Sequence, residues 1–501
     1  MKNPQRTLCG ASLSLLAACS TAGMNSLAAE TATAAAKPNI IYILGDDLGI
    51  GELGCYGQTK IRTPNIDKLA MEGMLFTRHY AGSTVCAPSR CALLTGKHTG
   101  HAFIRTNAEV GTWDSYEGQM PIPANSDTIA KRLKSAGYAT ACIGKWGLGG
   151  VNSAGDPLNQ GFDHFFGYNC QRHAHNYYPQ YLIKDREKFP LNNPVIPQAA
   201  FPKDKDPNDP ANYKCYQGTD YAPDFMEKEA LSFIRDNKDK PFFLYFSTTV
   251  PHAALQVPDD SLAEYKDKFD DKPYLGNKGY LPHRYPRAAY AAMITRMDRA
   301  VGRMMDQLKE LGLEKNTIIC VVGDNGPTFN GGTDSEYFNS ARGDRGLKCA
   351  VYEGGIRAPL VVRWPAQIAA GSTSEHLSAM WDMLPTFCDA AGVEAPQNID
   401  GISMLPTLLG KVQEQKQHEY LYWEDACNKR ALRFGDWKMI KYHPSLKVEL
   451  FNLKDDPKEE KDLAAANPEM KAKLEKMMDD VRTDSKEFPL ATKKSVQKKA
   501  K

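Results

Sequence analysis

Hydrophobic positions fall in two patterns along the first four-fifths of the chain. Ile40-Ile41-Tyr42-Ile43-Leu44, Phe242-Phe243-Leu244-Tyr245-Phe246 and Thr317-Ile318-Ile319-Cys320-Val321-Val322 are runs without polar alternation, with shorter ones at 138–143 and 359–362. Such runs predict strands covered on both faces. Between them, residues 64–73, opened by Pro64, and 126–136, with Ser126 as N-cap and Gly137 as terminator, predict helices. So do 286–311 and 381–391. Across 286–311, Tyr290, Met293, Met297, Met304, Leu308 and Leu311 recur at helical spacing, which makes the methionines core packing rather than a cofactor contact. Strands and helices in alternation predict an α/β domain, a mainly parallel sheet between helices, over residues 37–414.

After residue 415 the pattern shortens. Strands are predicted at 420–423, 431–434, 437–442 and 448–453, with Gly435-Asp436 as a hairpin turn and Pro468 opening a last helix. This describes a small C-terminal domain, 415–485, built from a short antiparallel sheet and a helix, beyond a boundary loop at Asp400-Gly401. Residues 184–216, rich in Pro, Asn, Asp and Lys, read as a surface insertion near the mouth of the site. No internal repeat is evident.

Polar chemistry gathers where the apolar runs stop. The first run ends in Asp46-Asp47, the strand at 138–143 leads into Lys145-Trp146-Gly147, the next into Pro251-His252, and the last into Asp324-Asn325. Ligands of open α/β sheets bind beyond the carboxyl ends of strands, so four strands would deliver side chains to one edge. Asp46, Asp47, Asp324 and Asn325 offer only oxygen, which suits a hard cation such as calcium better than zinc. No C-x-x-C pair is present to argue for zinc or a redox motif.

The densest stretch is Cys86-Ala87-Pro88-Ser89-Arg90-Cys91-Ala92-Leu93-Leu94-Thr95-Gly96-Lys97. Pro88 suits a first helical turn, which would put Cys86 in the turn and Arg90 one turn later on the same face. An isolated cysteine here would be a small core hydrophobe. The pattern C-x-P-S-R-x-x-L-L-T-G, however, resembles the signature of the formylglycine-dependent (type I, arylsulfatase-like) sulfatases, and Glu449-Leu450-Phe451-Asn452-Leu453 through Asp456-Pro457 and Glu460 resembles their C-terminal signature.

The resemblance implies an alkaline-phosphatase-like fold and oxidation of Cys86 to formylglycine, for which a separate formylglycine-generating maturation enzyme would be a partner. It implies a calcium ion held by Asp46, Asp47, Asp324 and Asn325, with converted Cys86 as a fifth ligand. Arg90, Lys145 (in Gly-Lys-Trp) and Lys348 (five residues before Glu353 of Tyr-Glu-Gly-Gly) match cationic positions that would stabilise charge on a sulfate ester. His252 matches the histidine at the leaving oxygen. The implied substrate is a sulfated carbohydrate, galactose or N-acetylgalactosamine among the candidates, and Arg105, Asn107, Arg172, His173 and His175 are candidate contacts by loop position.

Two departures stand out. Lys97 replaces a more usual arginine, and Gly147 stands where most relatives carry a histidine that touches the formylglycine hydroxyl. Two other functions remain open at this point. One is a phosphoester hydrolase of the same superfamily. The other is a sulfated-glycan-binding protein with impaired turnover, a reading that rests on Gly147.

Composition adds an address. The formal charge of +2 includes Lys2, Arg6 and the five lysines of the tail from Lys493, so the body carries about −5 and offers no broad nucleic-acid surface. The tail, 486–501, reads as a solvated end. Lys2 and Arg6 precede an apolar segment at 8–18, too short to span a membrane, and residues 1–29 read as a secretion signal. Leu16-Ala17-Ala18-Cys19 resembles a lipobox, which would leave a lipidated Cys19 on a membrane. Ser26-Leu27-Ala28-Ala29 suits ordinary cleavage. Either route predicts an exported protein, periplasmic or held at the surface. Ten cysteines lie beyond the signal, and conversion of Cys86 would leave nine, so at least one could not pair within the chain.

Overall fold

The computed structural model describes residues 37–491 apart from 111–118 and 426–428. The segment expected to be a secretion signal, with both candidate cleavage sites, and residues 492–501 of the tail lie outside the described residues. Among the described residues sixteen strands are formed: β1 (Asn39–Asp46), β2 (Met74–Phe76), β3 (His79–Tyr80), β4 (Ala139–Lys145), β5 (His164–Tyr168), β6 (Tyr181–Lys184), β7 (Glu187–Pro190), β8 (Phe242–Pro251), β9 (Thr317–Gly323), β10 (Leu360–Arg363), β11 (Ser372–Ser374), β12 (Ser378–Ala379), β13 (Leu421–Asp425), β14 (Lys429–Phe434), β15 (Trp437–Tyr442) and β16 (Val448–Asn452). Ten of them make one sheet in the order β11-β2-β10-β9-β1-β8-β4-β5-β6-β7.

The centre of that sheet, β9-β1-β8-β4-β5, is parallel throughout. β10 runs antiparallel to β9, and β6 and β7 close the other side as an antiparallel hairpin. The apolar runs are buried for the reason their pattern implies. Ile41, Ile43, Leu244, Phe246, Ile319 and Val321 pack on one face with the helices Pro64–Met71, Ala222–Asp236 and Pro286–Glu310. Ile40, Tyr42, Leu44, Phe243, Tyr245, Ile318 and Val322 pack on the other with the helices Cys86–Thr95, Ile129–Ser135 and Met383–Ala391. Met293, Met297 and Met304 are core residues, as their spacing predicts.

The registers bring the parallel strands to a common finish. Leu44 lies beside Ser247 and Val322, and Gly144 beside Ser247 and Gly167. At Gly144, where φ is +119°, a Cβ would fall 1.9 Å from the Ser247 carbonyl oxygen, so only glycine lets β4 approach β8 there.

Several boundaries differ from the sequence expectation. The helix expected at 126–136 begins at Ile129, because the Thr128 side chain accepts from Lys131 N at 3.2 Å and is therefore the cap; Ser126 N closes a turn onto Pro123 O. The insertion expected from residue 184 cuts through the β6–β7 hairpin. Its remainder packs on the segment after β8, with Gln256 Nε2 donating to Tyr216 O at 2.6 Å and Phe201 N to Leu275 O at 3.0 Å.

The C-terminal sheet, β13-β14-β15-β16, is antiparallel and carries the helix Pro468–Asp480 on one face through Leu474 and Met478. Its other face, with Leu421, Trp423, Ala431 and Ile440, packs on Tyr80, Ala92 and Trp381 of the large domain. The described residues from Lys37 onward form one compact unit. No helix among the described residues is long and apolar enough to cross a membrane.

Candidate active site

Cys86 is the first residue of the helix Cys86–Thr95, every residue of which is buried. Extended Val85 precedes it without a side-chain cap, and the orphan N–H of Ala87 donates to Asn107 Oδ1 at 3.0 Å. The helix thus directs its positive end at the Cys86 side chain. Around that side chain the ends of β1, β4, β8 and β9 converge, as the sequence predicts. Asp46, Cys86 and His252 present ligand atoms all within 4.8 Å of one another, as do Asp46, Asp47 and Asp324.

Cations are interleaved with these acids. Arg90, fully buried one turn after Cys86, donates to Asp324 Oδ2 at 2.8 Å and to Lys145 O at 2.7 Å, bonds Ser247 Oγ, and stands 3.4 Å from Asp46 Oδ1. Lys145 Nζ reaches Asp46 Oδ2 at 2.7 Å. Lys348 Nζ lies 2.7 and 2.8 Å from the two Asp47 oxygens and 3.7 Å from Cys86 Sγ. Backbone bonds from Lys348 N to Pro327 O and from Cys349 N to Thr84 O, both 3.0 Å, fix that lysine's loop over the nucleophile. His252 bonds the Ala253 carbonyl through Nδ1, which makes Nδ1 the donor, and its Nε2 stands 3.6 Å from Asp47 Oδ2.

Burial and these charges set the protonation states. Burial, with Asp46 adding to it, pushes the Cys86 thiol up to about 12, so the unmodified side chain is no thiolate at neutral pH. Burial also raises Asp46, but Lys145, His252 and Arg90 more than reverse it and hold that carboxylate well below its usual range. Asp324 is raised to about 7 by burial and by Asp46, against the pull of Arg90. Burial and then Lys348 drive His252 well below the usual imidazole range.

Hydrogen bonds are missing where a ligand would complete them. Asp46 Oδ1 and Asn325 Oδ1 are buried without a hydrogen-bond partner, and so are Thr249 Oγ1, both amide atoms of Asn169, and Gln171 Oε1. Buried polar groups are normally satisfied. Six of the exceptions among the described residues lie at the carboxyl ends of β1, β9, β8 and β5. Three carboxylates and a carbonyl oxygen, with two of these atoms unpartnered, fit a hard divalent cation.

The five residues singled out as substrate contacts have different surroundings. Asn107 supports the helix of Cys86, and His175 stacks on His252 with ring centroids 4.6 Å apart. Arg105 is buried and committed elsewhere, to Thr483 O at 2.9 Å and Ala102 O at 3.1 Å, with Glu424 at 3.7 Å. Arg172 pairs with Glu109 on the surface, and His173 packs on Tyr168 and Tyr181. Sequence reasoning missed β5, and with it Asn169 and Gln171 beyond its end; it also missed Ser247, which holds Arg90.

An alkaline-phosphatase-like α/β fold with lysines, arginine and an acidic cluster around one buried side chain defines a hydrolase of anionic esters. Residues 38–393 match the Sulfatase family model, and 345–486 match that described as N-sulphoglucosamine sulphohydrolase, C-terminal. The chain belongs to the sulfatase family and is a sulfuric ester hydrolase. It is 30% identical over 516 residues to the N-acetylgalactosamine-6-O-sulfatase of Bacteroides thetaiotaomicron, covering 89% of this chain and 93% of that one. It is 32% identical over 398 residues to the N-acetylgalactosamine-6-sulfatase of Rattus norvegicus, covering 77% and 68%. The crystal structure of Ps i-CgsB superposes with a TM-score of 0.73 at 25% identity, covering 92% of this chain and 96% of that one.

Proposed function

We propose that this protein is an exported sulfatase that removes sulfate from a carbohydrate, a 6-sulfated N-acetylgalactosamine or galactose, through a formylglycine made from Cys86 by a maturation enzyme. The observation that carries the reading is the placement of Cys86: buried at a helix start, 3.7 Å from Lys348 Nζ, among cations, and too weakly acidic to act as a thiolate. Converted and hydrated, residue 86 would carry two hydroxyls on one carbon. One attacks sulfur and displaces the sugar oxygen, which would take a proton from the Lys348 ammonium with His252 beside it, while the attacking hydroxyl's proton returns to that lysine. The second hydroxyl then gives its proton to His252 Nε2, which the Nδ1–H bond to Ala253 leaves free to accept, the carbonyl re-forms, and sulfate leaves. Water restores the hydrate.

Asp46, Asp47, Asp324 and Asn325, with residue 86, would hold calcium, which when bound draws negative charge from the sulfate oxygens. Without it the centre is nearly neutral, three carboxylates against Arg90, Lys145 and Lys348. The added charge would make it attractive to an anionic ester.

The sugar is suggested by the two relatives named for N-acetylgalactosamine 6-sulfate. The test is mass spectrometry of the Cys86 peptide from protein made with a maturation enzyme, joined to sulfate release from a panel of singly sulfated monosaccharides. Conversion with turnover of the 6-sulfate supports the reading. Conversion with turnover at another ring position overturns the substrate alone, preference for a phosphate monoester in competition overturns the sulfated-sugar function, and an active enzyme with unmodified cysteine overturns the mechanism.

A further inference from the structure

Beyond the end of β5 the chain turns back along the loop that follows β4. Trp146 N donates to Tyr168 O at 2.8 Å and Gly147 N to Asn169 O at 3.0 Å. Gly147 has φ +80° and no side chain, and the space a Cβ would take is lined by Gln171: Cγ at 3.0 Å, Cδ at 3.3 Å and Nε2 at 3.5 Å. Glycine at 147 therefore does two things. It adopts a left-handed backbone, and it admits the Gln171 side chain to a place another residue would fill.

The orientation of the Gln171 amide follows from its partners. Ala87 N–H can only donate, so the Asn107 atom it meets at 3.0 Å is the carbonyl oxygen. The Gln171 atom facing that same oxygen at 3.2 Å must then be its NH2 group. The remaining atom is Oε1, an acceptor on a side chain only 8% exposed, and it has no hydrogen-bond partner. One end of the amide is thus tied, through Asn107, to the residue after Cys86, while the other is left open in the interior. A neutral acceptor with no appreciable basicity can receive an O–H but cannot keep its proton. It fits a hydrogen-bond donor, and the donor that a hydrated formylglycine at position 86 would bring is a hydroxyl group.

We infer that Gln171 is a hydroxyl-orienting residue of the reaction: Oε1 accepts a hydrogen bond from one hydroxyl of the hydrated formylglycine at position 86, and Asn107 locks the amide in register with the first turn of that residue's helix. This rests on the formylglycine reading above. The interaction breaks no bond and moves no proton; it fixes the direction of the O–H and of the oxygen lone pairs.

The experiment compares wild type with Gln171→Leu and Gln171→Glu on an aryl sulfate and on a sulfated monosaccharide, with formylglycine content measured in every preparation. Gln171→Leu should lower kcat by about 10- to 100-fold on both substrates with KM little changed, the size expected when a reacting group loses its orientation. Gln171→Glu supplies a second, isosteric readout. Its protonated form reproduces the donor towards Asn107 and the acceptor towards the hydroxyl, so its activity relative to wild type should rise as pH falls. Activity is taken per folded molecule at each pH, because ionisation of a buried glutamate would also destabilise the fold. A kcat for Gln171→Leu within about twofold of wild type at equal conversion overturns the inference. So does a loss confined to KM for the sugar, which would place a substrate hydroxyl at Oε1 instead. An active wild-type enzyme whose Cys86 is unconverted overturns this inference together with the formylglycine reading, whereas normal conversion with an indifferent Gln171 overturns this inference alone.

Discussion

At the junction between the large sheet and the C-terminal sheet, Lys438 lies buried with its Nζ 2.8 Å from Glu353 Oε1 and 2.8 Å from Glu459 Oε1. Tyr80 OH donates to Glu353 Oε2 at 2.6 Å, and Glu353 N to Glu459 Oε2 at 2.7 Å. At the carboxyl edge of the large sheet, Asp46, Asp47 and Asp324 are just as deeply buried among Arg90, Lys145 and Lys348. There, however, Asp46 Oδ1, Asn325 Oδ1 and Gln171 Oε1 have no hydrogen-bond partner. At the junction Glu459 Oε1 also lacks an aligned hydrogen bond, but it lies 2.8 Å from the Lys438 ammonium, so each carboxylate oxygen there has a cation or a donor within 3 Å and the cluster is closed by charge. The strand edge is open in the same interior. Burial and charge are alike in the two places, so neither marks the working site. What separates them is a cluster of neighbouring oxygens with no cation or donor within 3 Å, a cost in a low-dielectric interior that a bound ligand would remove.

The largest effect that separates the two clusters should come from Cys86→Ala. Sulfate release is expected to fall by at least about a thousandfold, because the nucleophile itself is gone. Thermal unfolding should keep its midpoint. Residual activity near wild type would remove Cys86 from the chemistry and break the comparison at its centre.

Lys438→Met should do the reverse. Removing the shared cation leaves Glu353 and Glu459 buried together, and breaking a buried pair this way costs about 3–5 kcal/mol. Urea unfolding would register that loss, while kcat per folded molecule stays at the wild-type value. If kcat fell with the stability left intact, the junction would belong to the site after all.

Chelation sharpens the contrast at the open cluster. Stripping divalent cations from the wild type should lower kcat by about a hundredfold, in keeping with the several kcal/mol a metal ion contributes to charge stabilisation, and calcium should restore it. Full activity in protein proven metal-free by elemental analysis would refute the cation assignment of Asp46, Asp47, Asp324 and Asn325.

The open cluster was far more legible in the sequence than the closed one. Four strands of the parallel core are apolar on both faces, so β1, β4, β8 and β9 announce themselves, and Asp46, Lys145, His252 and Asp324 follow directly from where those runs stop. β5 escaped because it is five residues long, opens on the polar His164 and contains Gly167; losing it hid Asn169 and Gln171. Arg105 illustrates the opposite error. Proximity in sequence to Asn107 recommends it, yet its guanidinium bonds Thr483, 378 residues away. Glu353, Lys438 and Glu459 likewise lie on separate segments with no periodic pattern linking them, so the junction becomes visible only after the two sheets have packed.

The smallest of these effects is a pH dependence that belongs to the closed side. His418, on the approach to β13, places Nε2 at 2.8 and 3.0 Å from the two oxygens of buried Asp382, which also accept from Ala379 N and Ile402 N, each at 2.8 Å. Burial alone would lower the histidine's pKa, but Asp382, with a further contribution from Asp400, outweighs it and leaves the value above 6.5. The folded state therefore holds a proton that the unfolded chain releases near its ordinary value. The stability this contributes is fully present below about pH 6.5 and declines as pH rises through the raised folded value. Replacing His418 with glutamine keeps a donor for Asp382 but removes the titrating charge. The difference in unfolding free energy between wild type and His418→Gln, read from their melting curves, should thus be widest near pH 6, on the order of 1 kcal/mol, and should narrow on the alkaline side. Sulfatase activity per folded molecule should not respond. A melting difference that stays constant across this range would mean that His418 is neutral in the fold, and that the closed cluster at the junction extends no further than Lys438 and its two glutamates.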